Sequence, residues 1–442
     1  MDSNSSIFKS AAKFFSGTLI SRVTGYLRDL SMAFSFGTSA PLAAFFTAFR
    51  LSNLPRRLLG EGGMQTAFIP HYEELKHSDS KNSLQFFVDL SAWLSLILLS
   101  LVILTIAGLI GLKYLFTSPG ALEIIELTAY MMPGLFFICL YGLNAGLLEC
   151  ERSFFTPSIA PVAFNFVWIG FALALMHHPI DQAMVILSIG ISLGCMGQWL
   201  VTLPQVYRLL KGKNIRINLA SPEVKRLWRP LFLTNLGIIS TQINSGLDPL
   251  FARYANLEGP AWLWYAIRIE QVPLALFGIA LSGALLPPLA RSVREGNLSK
   301  FYSFLFTALK RSAYLMIPIT IAIFLFGGWG VNLAFGYGDF GMKSLEGTVA
   351  CLWGYSIGLL PQTWVLILAP AFFARGDYKT PAIASVSAVV ANTFFNAVAI
   401  FGFGWGAESV AYATSLAAVV NCAILWIRLR QTLPQVLQES KT

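Results

Sequence analysis

"RLSNLPRRLLGEGGMQTAFIP", residues 50–70, lies in a strongly apolar region and yet carries Arg50, Arg56, Arg57 and Glu61. Its flanks extend the apolar character back to residue 42. At 1.5 Å per residue, the stretch is long enough to cross a hydrocarbon core of about 30 Å as a helix. An ionised side chain at that depth costs several kcal/mol unless it meets a partner or a wet cavity. The three guanidiniums therefore need a reason.

The rest of the chain has the same membrane character. Over 442 residues, 55% are apolar and 12% charged, and mean hydropathy is +0.64, outside the range of soluble domains. Apolar stretches recur at residues 12–36, 42–70, 84–110, 122–148, 157–176, 183–207, 230–254, 262–289, 302–328, 346–373, 381–401 and 407–429. This pattern predicts an all-α polytopic membrane protein with twelve transmembrane helices. The first span lacks a small-residue cleavage site and continues past Arg22, Arg28 and Asp29, so it is expected to be retained rather than removed as a signal peptide.

Lys and Arg set the orientation. With a cytosolic N-terminus, twenty of them fall on the cytosolic side and only Lys113, Arg253 and Lys343 on the other, which places both termini inside. Much of the net charge of +9 is then a topological signal, and nucleic acid is not an expected partner. The five cysteines stand singly without CxxC spacing and read as packing residues.

A basic segment at residues 207–229 divides the chain into an N-terminal lobe of six helices (1–206) and a C-terminal lobe of six (230–442), and reads as a cytosolic linker. Shifting by 218 positions aligns "AFRLSNLP" (48–55) with "AIRIEQVP" (266–273), so Arg50 falls on Arg268 and Pro55 on Pro273. The same shift pairs Gly60 with Gly278, and "TPSIAPV" (156–162) has an echo in "TPAIASV" (380–386). Six helices per copy preserve orientation, which gives two pseudo-symmetric lobes around a central cavity, the plan of an alternating-access transporter. Pro55, Gly60, Gly62, Gly63, Pro273 and Gly278 are expected to kink helices two and eight or to let neighbours approach closely.

Helix one offers "SRVTGYLRD". Arg22 and Asp29 are seven apart on one face, whereas Arg28 is turned about 120° from Arg22. In helix two, Arg50 and Arg57 are likewise seven apart, and helix eight adds Arg268 and Glu270. Set against Asp29, Glu61, Asp248 and Glu270, the six deep cations leave an excess, and all are Arg, whose planar fork grips phosphate or carboxylate bidentately without losing its proton. The cavity is therefore expected to be cationic and to favour a phosphate-bearing guest. The plainer alternative pairs Arg28 with Asp29 and Arg57 with Glu61.

Asp248 in helix seven, Asn392 and Asn396 at i, i+4 in helix eleven, and Thr414 in helix twelve supply oxygens suited to a small hard cation such as Na⁺. Asp248 as a proton carrier, or as a partner for Arg268, is the rival reading. His71, His77, His177 and His178 lack metal-ligand spacing, and "GEGG" (60–63) lacks the Lys and Ser/Thr of a phosphate loop and reads as a hinge. No nucleophile elbow or cofactor fingerprint appears, so no enzyme and no cofactor are expected.

"SRVTGYLRDLSMAFSFG" followed by "AAFFTAFRLSNLPRRLLGEGGMQTAFIP" resembles the opening of the MurJ (MviN) lipid II flippases, of the multidrug/oligosaccharidyl-lipid/polysaccharide exporter superfamily. "WYAIRIEQVPLALFGIALSGALLPPLAR" and "LAPAFFARGDYKTPAIASV" are similar to the matching second-lobe segments. The resemblance implies movement of lipid II, the polyprenyl-pyrophosphate disaccharide pentapeptide of peptidoglycan synthesis, between leaflets of the bacterial cytoplasmic membrane. It implies Ser21, Arg22, Arg28, Arg56 and Arg268 as cavity residues, joined on the residue reading by Asp29 and Arg50. It also implies membrane lipids and cell-wall synthesis proteins as partners, and Na⁺, H⁺ or the membrane potential as the drive. Two departures stand out. Ala43, Ile267 and Gln271 replace acids common in the family, and the two further C-terminal helices associated with a tail groove have no counterpart before Thr442. The alternatives are a cation-coupled small-molecule exporter, which would favour acids and aromatics in its cavity, and a flippase of another polyprenyl-linked saccharide.

Overall fold

A computed structural model describes residues 4–439 except 61, 79 and 214. Glu61, and with it the Arg57–Glu61 pair, lies outside the described residues. All regular elements among the described residues are helical. The first hydrophobic segment is α1 (Asn4–Phe36), and the second is divided into α2 (Ala40–Asn53), α3 (Arg56–Leu59) and α4 (Gly63–Ser78). There follow α5 (Ser80–Leu112), α6 (Pro119–Cys150), the pair α7 (Phe155–Ile159) and α8 (Pro161–Ala174), and α9 (Ile180–Leu210). Segment seven is α10 (Pro222–Ala255). Segment eight is α11 (Gly259–Pro273), a π turn at Leu274–Ile279 and α12 (Ala280–Arg294). The last four are α13 (Leu298–Phe335), α14 (Met342–Ile357) with α15 (Leu359–Ala374), α16 (Lys379–Ala397) with a π turn, and α17 (Glu408–Glu439).

Grouped this way, the elements reproduce the twelve segments expected from hydropathy. Eight of them are long and apolar enough to cross a membrane on length and composition, counting the bent α14–α15 pair as one. The other four are segments one, two, seven and eight, which hold Arg22, Arg28, Arg50, Arg56, Asp248, Arg268 and Glu270. Polarity is thus concentrated in the same two positions of each half. Elsewhere apolar side chains face outward: α5 exposes Leu99, Ile103 and Leu104, and α13 exposes Ile321, Leu325, Phe326 and Leu333. Such faces belong against acyl chains.

By packing, the chain forms two compact units, Met1–Gly37 with Ala44–Ile239, and Thr38–Ala43 with Ser240–Thr442. In the first unit α6 packs on α5 and α9, α8 packs on α9, and α1 packs on α7 and α8. Its aromatic core has Trp168 edge-on to Phe45, Phe49 and Phe164, with ring centres 4.9–5.6 Å apart, the geometry that aligns ring edges with ring faces. In the second unit α17 packs on α14, α15 and α16, and Leu289, Phe301, Leu305, Ile367 and Leu368 fill a core between α12, α13 and α15. The Thr38 segment belongs here through Trp262, whose Nε1 donates to Thr38 Oγ1 at 3.1 Å, while Thr38 donates to Ser344 Oγ at 2.7 Å.

The expected kinks are present, and they are breaks. Segment two is interrupted at 54–55 and again between the end of α3 at Leu59 and the start of α4 at Gly63, and segment eight turns to π geometry at 274–279, the same place in the repeat. Gly62 takes a positive φ of 96°, which only glycine adopts freely. Gly60 meets Gly142 of α6 backbone to backbone: a Cβ on Gly142 would sit 2.8 Å from the Gly60 carbonyl carbon. Gly142→Ala must therefore push the α3–α4 joint away from α6. The expected cost is about 1–3 kcal/mol, read as a lowered midpoint of thermal unfolding.

The break also corrects one expectation. Arg50 lies in the last turn of α2 and Arg57 lies in α3, so the seven-residue spacing does not put them on one helical face. Pro55 has no N–H to continue the ladder, and a separate short helix begins after it.

Each of the three cations expected on the outer side is tied down within its own unit. Lys113 pairs with Glu126 at 3.2 Å, Lys343 with Glu258 at 2.7 Å, and Arg253 donates to the carbonyls of Ala40 and Leu257. Outside the spans, Asp377 caps α16 by accepting from Thr380 N at 2.9 Å and Thr380 Oγ1 at 2.6 Å. Burial raises its carboxyl and is the largest single influence, but these bonds, the Lys379 N–H and the Arg375 charge together outweigh it and hold the pKa below the usual carboxylate value. A depressed pKa means that the cap's contribution is present above the ordinary carboxylate range and is lost as pH falls through the lowered value.

Candidate functional site

In the first unit the site is built on α1 and α8. Arg28 donates from Nε (3.1 Å) and Nη2 (2.8 Å) to Asp29 Oδ1, and from Nη1 (3.2 Å) to Asn165 Oδ1. Its guanidinium carbon lies 4.6 Å from the centre of the Trp168 ring. The side chains of Arg28 and Asp29 are only 12% and 4% exposed. The pairing with Asp29 foreseen as the plain alternative is therefore real, and it is what makes so deep a cation affordable.

It does not exhaust the group. A guanidinium has five N–H donors, and Asp29 and Asn165 take three. Among the described residues two remain, on a cation whose position is fixed by a carboxylate, an amide and an indole face.

Asn165 does a second job. Its Nδ2 donates to Thr24 Oγ1 at 3.0 Å and to the Ser21 carbonyl at 3.3 Å, which registers α8 against the turn of α1 that bears Ser21 and Arg22. Arg22 itself is exposed and makes no hydrogen bond or ion pair among the described residues, as is also true of Arg57. Arg50 and Arg56 are half-buried and engaged within the fold.

In the second unit Arg268 is half-buried, with its guanidinium carbon 4.5 Å from the centre of Trp264, one turn earlier on α11. Glu270, 2% exposed, accepts from Gln362 Nε2 at 3.1 Å. Each unit thus carries one deep arginine over a tryptophan, an arrangement worth about 2 kcal/mol when desolvated.

The four oxygen-bearing residues expected to form a cation site are brought together from α10, α16 and α17. Asn396 Nδ2 donates to Asp248 Oδ1 at 3.1 Å and also to Asn392 Oδ1, Asn392 Nδ2 donates to Thr414 Oγ1 at 3.2 Å, and Thr414 Oγ1 lies 3.5 Å from Asp248 Oδ2. Asn392 and Asn396 are 1% and 0% exposed. The Oδ1 of Asn396 is buried without a hydrogen bond. Turning that amide over would place this oxygen beside Asp248 and Asn392. One carboxylate, two amide oxygens and a hydroxyl then fit a single small monovalent ion.

Asn165, Trp168, Trp264 and Gln362 did not emerge from the charge pattern. The signal was available in "PVAFNFVWIGFALA", where Asn165 is the only strongly polar side chain of an apolar helix. A lone amide at that depth needs a partner as surely as an ion does.

Deep paired arginines, broken helices and a repeated six-helix plan on outward apolar faces define a polytopic α-helical transporter. The fold agrees: a solved structure of lipid II flippase MurJ in an inward closed conformation superimposes with a TM-score of 0.80 at 24% identity, over 94% of this chain and 87% of that one. An inward-facing multidrug resistance transporter of the MATE family superimposes with a TM-score of 0.74 at 17% identity, over 93% of this chain and 95% of that one. The family model for lipid II flippase MurJ matches residues 32–441. A probable lipid II flippase MurJ of Chlamydia muridarum is 32% identical over 98% of this chain and 80% of its own length, and the lipid II flippase MurJ of Burkholderia cenocepacia is 29% identical over 94% and 82%. The chain belongs to the MurJ lipid II flippase family.

Proposed function

We propose that this protein moves lipid II from the cytosolic to the periplasmic leaflet of the bacterial cytoplasmic membrane, by alternating access and without covalent chemistry. The observation that carries the reading is Arg28, a guanidinium fixed at depth with two N–H groups unclaimed among the described residues, matched in chemistry to a pyrophosphate oxygen pair. Arg22, also on α1, supplies a second cation with no hydrogen-bond or ion-pair partner among the described residues. Arg268 of the second lobe is assigned to the same headgroup, as are Ser21, Asp29, Arg50 and Arg56 of the first. Both termini are assigned to the cytosol, from the distribution of Lys and Arg.

Cation entry at Asp248, Asn392, Asn396 and Thr414, or the membrane potential acting on an emptied cationic cavity, is assigned the resetting step. An ion drives such a step only through unequal affinity for the two states. Depleting the protein in cells and following lipid II tests the function: lipid II is expected to accumulate on the cytosolic side, and unchanged leaflet distribution overturns the assignment. Asp248→Asn removes the only carboxylate of the oxygen cluster. It is expected to abolish Na⁺-induced stabilisation of the purified protein in thermal unfolding, whereas a Na⁺ response equal to wild type removes the ion from this site.

A further inference from the structure

A separate feature of the first unit lies between α5, α6 and α9. A groove of about 530 Å³ is lined by Ile106, Leu109 and Ile110 of α5, Ile125, Ala129 and Pro133 of α6, and Ile189 and Leu193 of α9. One end is polar. Lys113 Nζ lies 3.2 Å from Glu126 Oε2, and Tyr130 OH donates to Glu126 Oε1 at 3.1 Å.

The helix lengths give the depth. Lys113 directly follows the apolar span of α5, and α6, at 32 residues, is about 48 Å long against a hydrocarbon core of about 30 Å. The first turns of α6 therefore stand in the headgroup layer, with Glu126 beside Lys113. Ile106 and Pro133 lie seven residues deeper on their helices, about 10 Å further in. The groove descends from an ion pair at headgroup level into the acyl region.

Its floor is built. Pro133 offers no N–H to the helix ladder, and α9 answers with Ser192, whose Oγ accepts from Gly134 N at 3.0 Å and lies 3.2 Å from the Tyr130 carbonyl. Ser192 thus holds α9 beside the irregular turn of α6 and keeps the furrow open.

We propose that this groove binds one membrane phospholipid with a zwitterionic, primary-amine headgroup, its acyl chain along the apolar floor, its phosphate on Lys113 and its ammonium on Glu126. The argument is charge complementarity. Lys113 and Glu126 are about 40% exposed, so each retains hydrogen-bonding capacity toward a ligand of the opposite sign. An anionic headgroup would satisfy Lys113 and face Glu126 as a like charge. The site is distinct from the arginine clusters and does not depend on the flippase reading.

The test is lipid retention. Purified protein equilibrated with equimolar phosphatidylethanolamine and phosphatidylglycerol is examined by native mass spectrometry. The wild type is expected to retain one phosphatidylethanolamine with a preference on the order of fivefold, the size that one partly exposed ion pair, ammonium to Glu126, supplies at most, since both lipids offer a phosphate to Lys113. Glu126→Lys should reverse the preference toward phosphatidylglycerol. Ile189→Trp, which fills the groove and leaves the charges in place, should remove the tightly held lipid. Equal retention of the two lipids by the wild type overturns the proposal. So does a preference that survives both Glu126→Lys and Ile189→Trp.

Discussion

Arg28→Ala is expected to lower lipid II translocation on the order of 100-fold, enough to abolish growth in cells depleted of the native copy. The substitution removes the two unclaimed N–H groups, and hydrogen bonds between charged groups are worth about 1.5–3 kcal/mol each. It also removes the Arg28 ion pair from Asp29, which is 3% exposed. Arg28→Lys separates the two effects. An ammonium restores the charge beside Asp29, but as a single point it cannot reach Asn165 and hold a phosphate edge at once. Partial transport is expected, with weakened headgroup binding. Translocation at the wild-type rate in the alanine variant would remove Arg28 from the binding role.

Asp29→Ala is the second large effect, and it falls first on stability. The Arg28 guanidinium is then left 12% exposed with only an amide and an indole for company. Breaking a buried pair from one side costs about 3–5 kcal/mol, so the purified variant should unfold at a markedly lower temperature in detergent. Asp29→Asn keeps an acceptor oxygen of the same shape and should lose less. If Asp29→Ala melts like the wild type, water rather than Asp29 compensates Arg28.

The sequence carried the twelve segments because hydropathy over about twenty residues is a strong signal in a chain that must lie in lipid. The breaks in segments two and eight were legible for a local reason: Pro55 and Pro273 occupy the same place in the repeat, and each interrupts a ladder. The oxygen cluster was legible because Asn392 and Asn396 are four apart and so share a face with certainty. Arg28 was harder. On a helix, adjacent residues point about 100° apart, and only the length of the arginine side chain lets it fold back onto Asp29. Asn165 was missed because depth was judged by charge alone, although a buried amide makes the same demand. The relation of Arg50 to Arg57 went wrong because face arithmetic assumes one continuous helix, and Pro55 ends it.

The way Arg28 is held also bears on how cargo leaves. Its guanidinium is gripped from two sides at once, by the Asp29 carboxylate and by the Asn165 amide oxygen. A donor so fixed cannot travel with a departing phosphate, so on the proposed function release is expected to break its contacts together rather than to stretch them one by one.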